Sequence, residues 1–233
     1  MLLIRFGVRD NNAEGFTVNE SPSKAGGLLT RMTMSVMADD LLFMVLEKNQ
    51  LPADLASFNL LTEQVVDNEA MAKDMGAKHT ADSVSQEGHL SGYERLFAVP
   101  PGAATLEAEP AAVLQAATAV HLFTEPDEVA RWIDKQFVAE LRASVGTEDG
   151  QGQKIIGVEL LEAAGFHDQA AGLLVVREVP GATMASTVVE FQMGCLLGIV
   201  SVDAKLDKKF IELVTELGSS LERQIVQIVL GAS

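Results

Sequence analysis

Cysteine is all but missing: Cys195 is the single one in 233 residues. That count excludes an internal disulfide and a cysteine-based metal cluster, and leaves the redox compartment open. Its position inside an apolar run marks it as a small core residue rather than a nucleophile. Basic residues are scarce too, with 17 Lys and Arg against 33 Asp and Glu, a formal charge of -16. A chain so acidic repels phosphate backbones and anionic lipid surfaces, which sets nucleic acid aside as a partner. No run approaches the roughly 18 to 20 apolar residues that a bilayer span needs, so no membrane span is expected. The opening Met1-Leu2-Leu3-Ile4-Arg5-Phe6 is too short for a signal-peptide core, and the chain as given reads as cytoplasmic. Standard catalytic signatures are missing as well: there is no Gly-x-Ser-x-Gly elbow, phosphate loop, dinucleotide fingerprint or His-Glu-x-x-His pair. Repeats of 20 to 50 residues are not visible either.

What is present is apolar material, 48% of the chain, enough for one large core. The densest stretch is Thr183 to Leu230. Thr183 to Phe191 and Cys195 to Val202 read as two strands joined through Gln192-Met193-Gly194, a three-residue hairpin connection with glycine where a positive φ is needed. Ser186 and Glu190 break up the first strand. The second is apolar on both faces, the mark of an inner strand covered on both sides. Asp207 then opens a run in which Phe210, Leu213, Val214, Leu217, Leu221, Ile225 and Ile228 form one helical stripe that must lie on the sheet.

Residues 1 to 38 read as an N-terminal extension and 39 to 233 as a single domain. Leu28 to Lys48 is loosely helix-spaced, with Asp39 as a candidate cap. Phe58 to Val66, Gly88 to Val99, Leu114 to Phe123 and Ala170 to Val179 read as strands, and Asp67-Asn68 start a short helix to Met75. His79 to Glu87 is simply polar, and Ile155 to Leu161 fits a strand or a short helix. Thr124-Glu125-Pro126-Asp127 carries a hydroxyl cap, an acidic residue three positions on and proline in the first turn, so it starts a second long helix through Leu141. That helix should cover the other side of the sheet or pack beside the first. Strands in consecutive pairs imply an α+β fold with a largely antiparallel β-sheet flanked by two long amphipathic helices.

Candidate chemistry is sparse. His167 beside Asp168 is an acid-base candidate in a turn. The strand around Tyr93 and Glu94, with His121 on the next strand, could line a pocket. Asp10, Asn12 and Glu14 place oxygen ligands at alternate positions before Gly15, as a calcium loop does, although Glu20 falls one residue early for the closing ligand. Glu148 and Asp149 form a second acidic loop that could hold a divalent cation. Calcium is thus the one cofactor the sequence raises.

Leu51-Pro52 leading into a strand, Gly92-Tyr93-Glu94, Thr124-Glu125 opening a helix, the Gly-x-x-Asp turn at Gly165 to Asp168 and the hairpin-plus-helix ending together resemble the PsbP-like fold group. That group includes extrinsic photosystem proteins, Mog-type Ran-binding proteins and related uncharacterised secreted bacterial proteins. The resemblance spans roughly residues 40 to 230. It implies an antiparallel sheet flanked by helices, used for binding proteins, ions or small molecules, and a secreted setting; it carries no catalytic residue. The expected function is a non-enzymatic binding module for a small molecule, ion or protein partner. The alternative is a calcium-assisted hydrolase of a small ester or lactone, which needs no serine nucleophile.

Overall fold

The computed structural model describes residues 27–76, 78–100, 113–148, 153–179, 181–205 and 209–231. Its strands are β1 (Asn59–Val66), β2 (His89–Ala98), β3 (Val113–Phe123), β4 (Lys154–Leu161), β5 (Ala170–Val179), β6 (Ala182–Met193) and β7 (Leu196–Lys205). They form one sheet in the order β1-β2-β3-β7-β6-β5-β4, antiparallel throughout. Two meanders, β1 to β3 and β4 to β7, therefore meet at the β3-β7 ladder. β7 is the middle strand, which accounts for its apolar residues on both faces.

The β6-β7 hairpin is tighter than its sequence implies. Met193 pairs directly with Leu196, so only Gly194 and Cys195 make the turn. Gly194 has φ +57, and a Cβ there would fall 2.1 Å from Thr33 Oγ1. That contact belongs to a tie between distant parts of the chain, since Thr33 Oγ1 accepts a hydrogen bond of 3.0 Å from the Cys195 amide.

Helix α1 (Leu28–Thr33), which carries Thr33, packs on the closing helix α7 (Ile211–Val229). So does α2 (Leu41–Met44). The part of the extension that is described, residues 27 to 38, thus lies against the body of the fold. The continuous helix expected over Leu28 to Lys48 is instead broken into α1, α2 and single 3-10 turns at Ala38–Asp40 and Lys48–Gln50. Its apolar spacing was too irregular to bury one stripe, and short pieces fit the curved sheet instead.

α7 covers one face of the sheet. Leu213, Val214, Leu217, Leu221 and Ile225 are buried on it, worth about 10 kcal/mol of apolar transfer before chain entropy is counted. The helix starts at Ile211, after Phe210 donates its backbone N–H to Thr187 Oγ1 at 3.1 Å. Asp207, expected to open it, lies outside the described residues.

The opposite face is covered by α3 (Asn68–Met75), α4 (Ala81–Gln86) and a rod of three segments: α5 (Pro126–Trp132), a π-helical stretch Ile133–Glu140, and α6 (Leu141–Ala143). The two long helical bodies thus sandwich the sheet. Asp67 caps α3 by accepting from the Ala70 amide at 2.8 Å. The rod starts one residue later than the sequence implies. Glu128, not Asp127, closes its first turn by accepting from the Glu125 amide at 3.0 Å and from the Thr124 hydroxyl. α4 had no apolar stripe to betray it; reciprocal Thr80 and Ser83 bonds build its first turn. No described helix is long and apolar enough to cross a membrane.

Candidate functional site

Between the sheet and this second helical layer lies a cavity of about 80 Å³, room for several waters or a slender organic group. Its floor exists because the middle of the sheet carries small side chains on this face. Ala117 and Ala119 on β3 and Ser201 on β7 line it, flanked by Ile199 and Val188. Met71 and Met75 of α3, Trp132 of α5 and Phe137 of the π-helical stretch form the apolar roof. A π-helical turn adds a residue to the helical repeat and swells it locally, a form frequent at functional sites. Here it brings Gln136 to the cavity, where its Nε2 donates to both oxygens of Glu87 at 2.8 and 2.9 Å.

Carboxylates fence this apolar space. Glu94 enters from β2, Asp74 from α3, Glu190 from β6 and Asp203 from β7. Glu94, Ala119, Ile199 and Glu190 are consecutive partners across the ladders, so all four project from one face. Three strand spacings of about 4.8 Å put the two glutamate backbones roughly 14 Å apart. Asp74, Glu190 and Asp203 are only 3%, 7% and 5% exposed.

Their environments differ. Burial pushes the Glu190 carboxyl up to about 8, and its Oε2 has no hydrogen-bond partner in the chain. Gln136 Oε1 is likewise buried without a partner. Burial also raises Asp203, opposed by a hydrogen bond from Ser186 and by the Arg177 charge. The relay is short: Arg177 Nη1 donates to Ser186 Oγ at 2.7 Å and Ser186 Oγ donates to Asp203 Oδ1 at 2.5 Å. Glu94 is raised by burial and by neighbouring Asp74, while a 2.5 Å hydrogen bond from Gln64 opposes the rise.

Beyond one end of the cavity lies a chain of three polar groups. His89 Nδ1 is 2.6 Å from Asn68 Oδ1 and His89 Nε2 is 3.0 Å from His121 Nδ1. With Asn68 Oδ1 accepting, His89 carries its proton on Nδ1, and His121 Nδ1–H donates to His89 Nε2. Burial drives the His89 value down to about 4, and holds His121 well below its ordinary value with His89 adding to the effect. Both rings are neutral at physiological pH. Gly92 makes room for them, since a Cβ there would lie 2.3 Å from His121 Nδ1.

Of the residues the sequence nominated for a pocket, Glu94 lines the cavity and His121 is buried on the same face beyond it. Tyr93 projects to the opposite face, because neighbours on a strand alternate, and lies under the Arg95 guanidinium 5.9 Å from its ring centroid. His167 is exposed and its amide donates to Glu222 at 2.8 Å. Asp168 accepts from the Gly194 amide at 3.2 Å, steadying the β6-β7 turn. Glu148 forms an isolated bridge to Lys154. Asp10, Asn12, Glu14 and Asp149 lie outside the described residues. Among the described residues no three His, Cys, Asp or Glu side chains converge on a point that could hold a metal ion.

Asp74, Glu190, Asp203 and Gln136 escaped the sequence reading. The signal was there for two of them: Glu190 and Asp203 each sit alone in strands otherwise apolar on both faces, so neither has a solvent face to occupy.

No protein-family model matches the chain, and no curated protein matches it. The fold has a known counterpart. It is similar to the extracellular domain of PknH from Mycobacterium tuberculosis, with a TM-score of 0.54 and 8% identity over 82% of this chain and 97% of that one. At that identity the likeness concerns the fold alone.

Proposed function

We propose that this protein is a binding module whose ligand is a small molecule held in the cavity between the sheet and the second helical layer, on a domain of the PsbP-like kind. The observation that carries this reading is the cavity itself: an apolar floor and roof with a few inward polar groups is the ordinary composition of a small-molecule site. The fence of buried carboxylates gives orientation. Buried acidic groups cost stability, and a ligand that satisfies them returns that cost as affinity. A non-enzymatic role is favoured over hydrolysis by the positions of the two groups nominated for acid-base work. His167 faces solvent, and the Asp168 carboxylate is occupied by the turn it supports.

A thermal-shift screen with a mixed library of cationic, neutral and anionic small molecules tests the proposal, run on the wild type and on Ala117→Leu, which fills the floor. Compounds that bind only the folded state raise Tm. Hits that vanish in Ala117→Leu support the cavity. Hits that survive it place binding elsewhere and overturn the assignment.

A further inference from the structure

The chemistry of the cavity narrows its ligand, on the proposed reading that the cavity is the binding site. Each of the four carboxylates reaches it from a different element, and the one basic side chain in the group, Arg177, is bound through Ser186 to Asp203. Asp203 is thereby partly neutralised. Glu94, with Asp74 beside it, remains at one end of the row, and Glu190 remains at the other. Both lining atoms that lack a partner, Glu190 Oε2 and Gln136 Oε1, are hydrogen-bond acceptors, so the ligand must donate. Between the two ends the floor and roof are apolar, which asks for methylenes. Trp132 and Phe137 present ring faces of the kind that attract ammonium groups.

We infer that the cavity takes a linear aliphatic diamine or polyamine, one ammonium seated between Glu94 and Asp74, the other on Glu190 beside Gln136, and the carbon chain lying over Ala117 and Ala119. A compact metal ion does not fit the same groups, since the glutamates stand on backbones roughly 14 Å apart. An anion meets only carboxylates.

Binding has a proton signature. Glu190 is protonated in the empty cavity at neutral pH, and an ammonium on its Oε2 stabilises the ionised form, so the complex forms with release of a proton. The other groups facing it are Asp203 from β7, Glu94 from β2, Asp74 from α3, Gln136 from the π-helical stretch and Arg177 from β5. None is a base that would take that proton back.

The test is isothermal titration of the full chain with diaminooctane, octanediol and octanedioate, three molecules of equal length that differ only in their ends, with spermidine as a second cation. Diaminooctane and spermidine are expected to bind. Their Kd should fall roughly tenfold per pH unit from pH 6 to 8, with proton release seen as a heat that varies with the buffer. Octanediol should bind at least tenfold more weakly and octanedioate not at all. Glu190→Gln should abolish the pH dependence, and Glu94→Gln should weaken diamine binding at every pH; circular dichroism melts confirm that both are folded. If octanediol or octanedioate binds as well as the diamine and Ala117→Leu blocks it, the cavity is the site but the cation inference is wrong. If no chain of that length binds and the wider screen yields nothing blocked by Ala117→Leu, the cavity reading falls with it.

Discussion

Replacing Glu190 with Gln tests the electrostatics of the cavity without any ligand. The carboxyl is buried and its value is pushed from 4.5 up to about 8. Because the folded value lies above the unfolded one, the unfolded chain loses this proton first as pH rises. Stability from this group is therefore intact below about pH 4.5, declines as pH climbs, and is fully forfeited above about pH 8. At 1.36 kcal/mol per unit, the gap between 4.5 and neutral pH amounts to roughly 3 kcal/mol at pH 7 and less than about 1 kcal/mol at pH 5. Gln has the shape of the protonated acid and does not titrate, so Glu190→Gln should be more stable than wild type by about those amounts. In a chain of this size 3 kcal/mol corresponds to a Tm gain of roughly 6 to 12 °C at pH 7. Urea unfolding followed by the emission of Trp132, the sole tryptophan, measures the difference at both pH values. A variant less stable than wild type at pH 7, or a difference that does not change with pH, refutes the reasoning.

The histidine pair titrates in the opposite sense. With His89 held at about 4 in the folded state against an ordinary 6.5, stability is complete above about pH 6.5 and is lost as pH falls. The loss from His89 reaches roughly 3 kcal/mol by pH 4, and His121 adds to it in the same direction; a pH series of urea midpoints should show it, flattened in His89→Gln. Gly92→Ala drives a methyl into the His121 ring and should cost about 2 kcal/mol or more in chemical denaturation, an effect that Gly157→Ala, with nearest neighbours 3.8 Å away, should not share. Thr33→Val leaves the buried Cys195 amide without its acceptor and should destabilise by about 1 to 3 kcal/mol, read as faster hydrogen exchange at the β6-β7 turn. Leu217→Ala, under α7 and fully buried, should cost about 2 to 5 kcal/mol in the same denaturation assay.

The sheet was legible in the sequence because strands leave a local signature. β2, β3, β5, β6 and β7 are runs of β-branched and apolar residues bounded by glycine or proline, and the stripe from Leu213 to Ile225 declares both the helix and its buried face. What escaped notice were features with no period. α4 is held by the Thr80 and Ser83 bonds rather than by an apolar face, and the π-helical swelling at Gln136 follows from packing over the sheet. The cavity was illegible for a related reason. Asp74, Glu94, Glu190 and Asp203 come from four elements, and only the strand order, which places β7 beside β3, brings them around one space. Glu94 was singled out beside Tyr93, but alternation sends those two neighbours to opposite faces. Glu190 was noted only as an interruption of its strand, although a lone carboxylate in an inner strand has nowhere to go except into the core or a cavity.

Trp132 forms part of the cavity roof, so its fluorescence reports directly on whether that space is where ligands go. Titrating diaminooctane into wild type and into Ala117→Leu at pH 8 should give a saturable change in Trp132 emission in the first protein and none in the second. An identical change in both, or no change in wild type at concentrations where calorimetry detects binding, contradicts the cavity as the binding site.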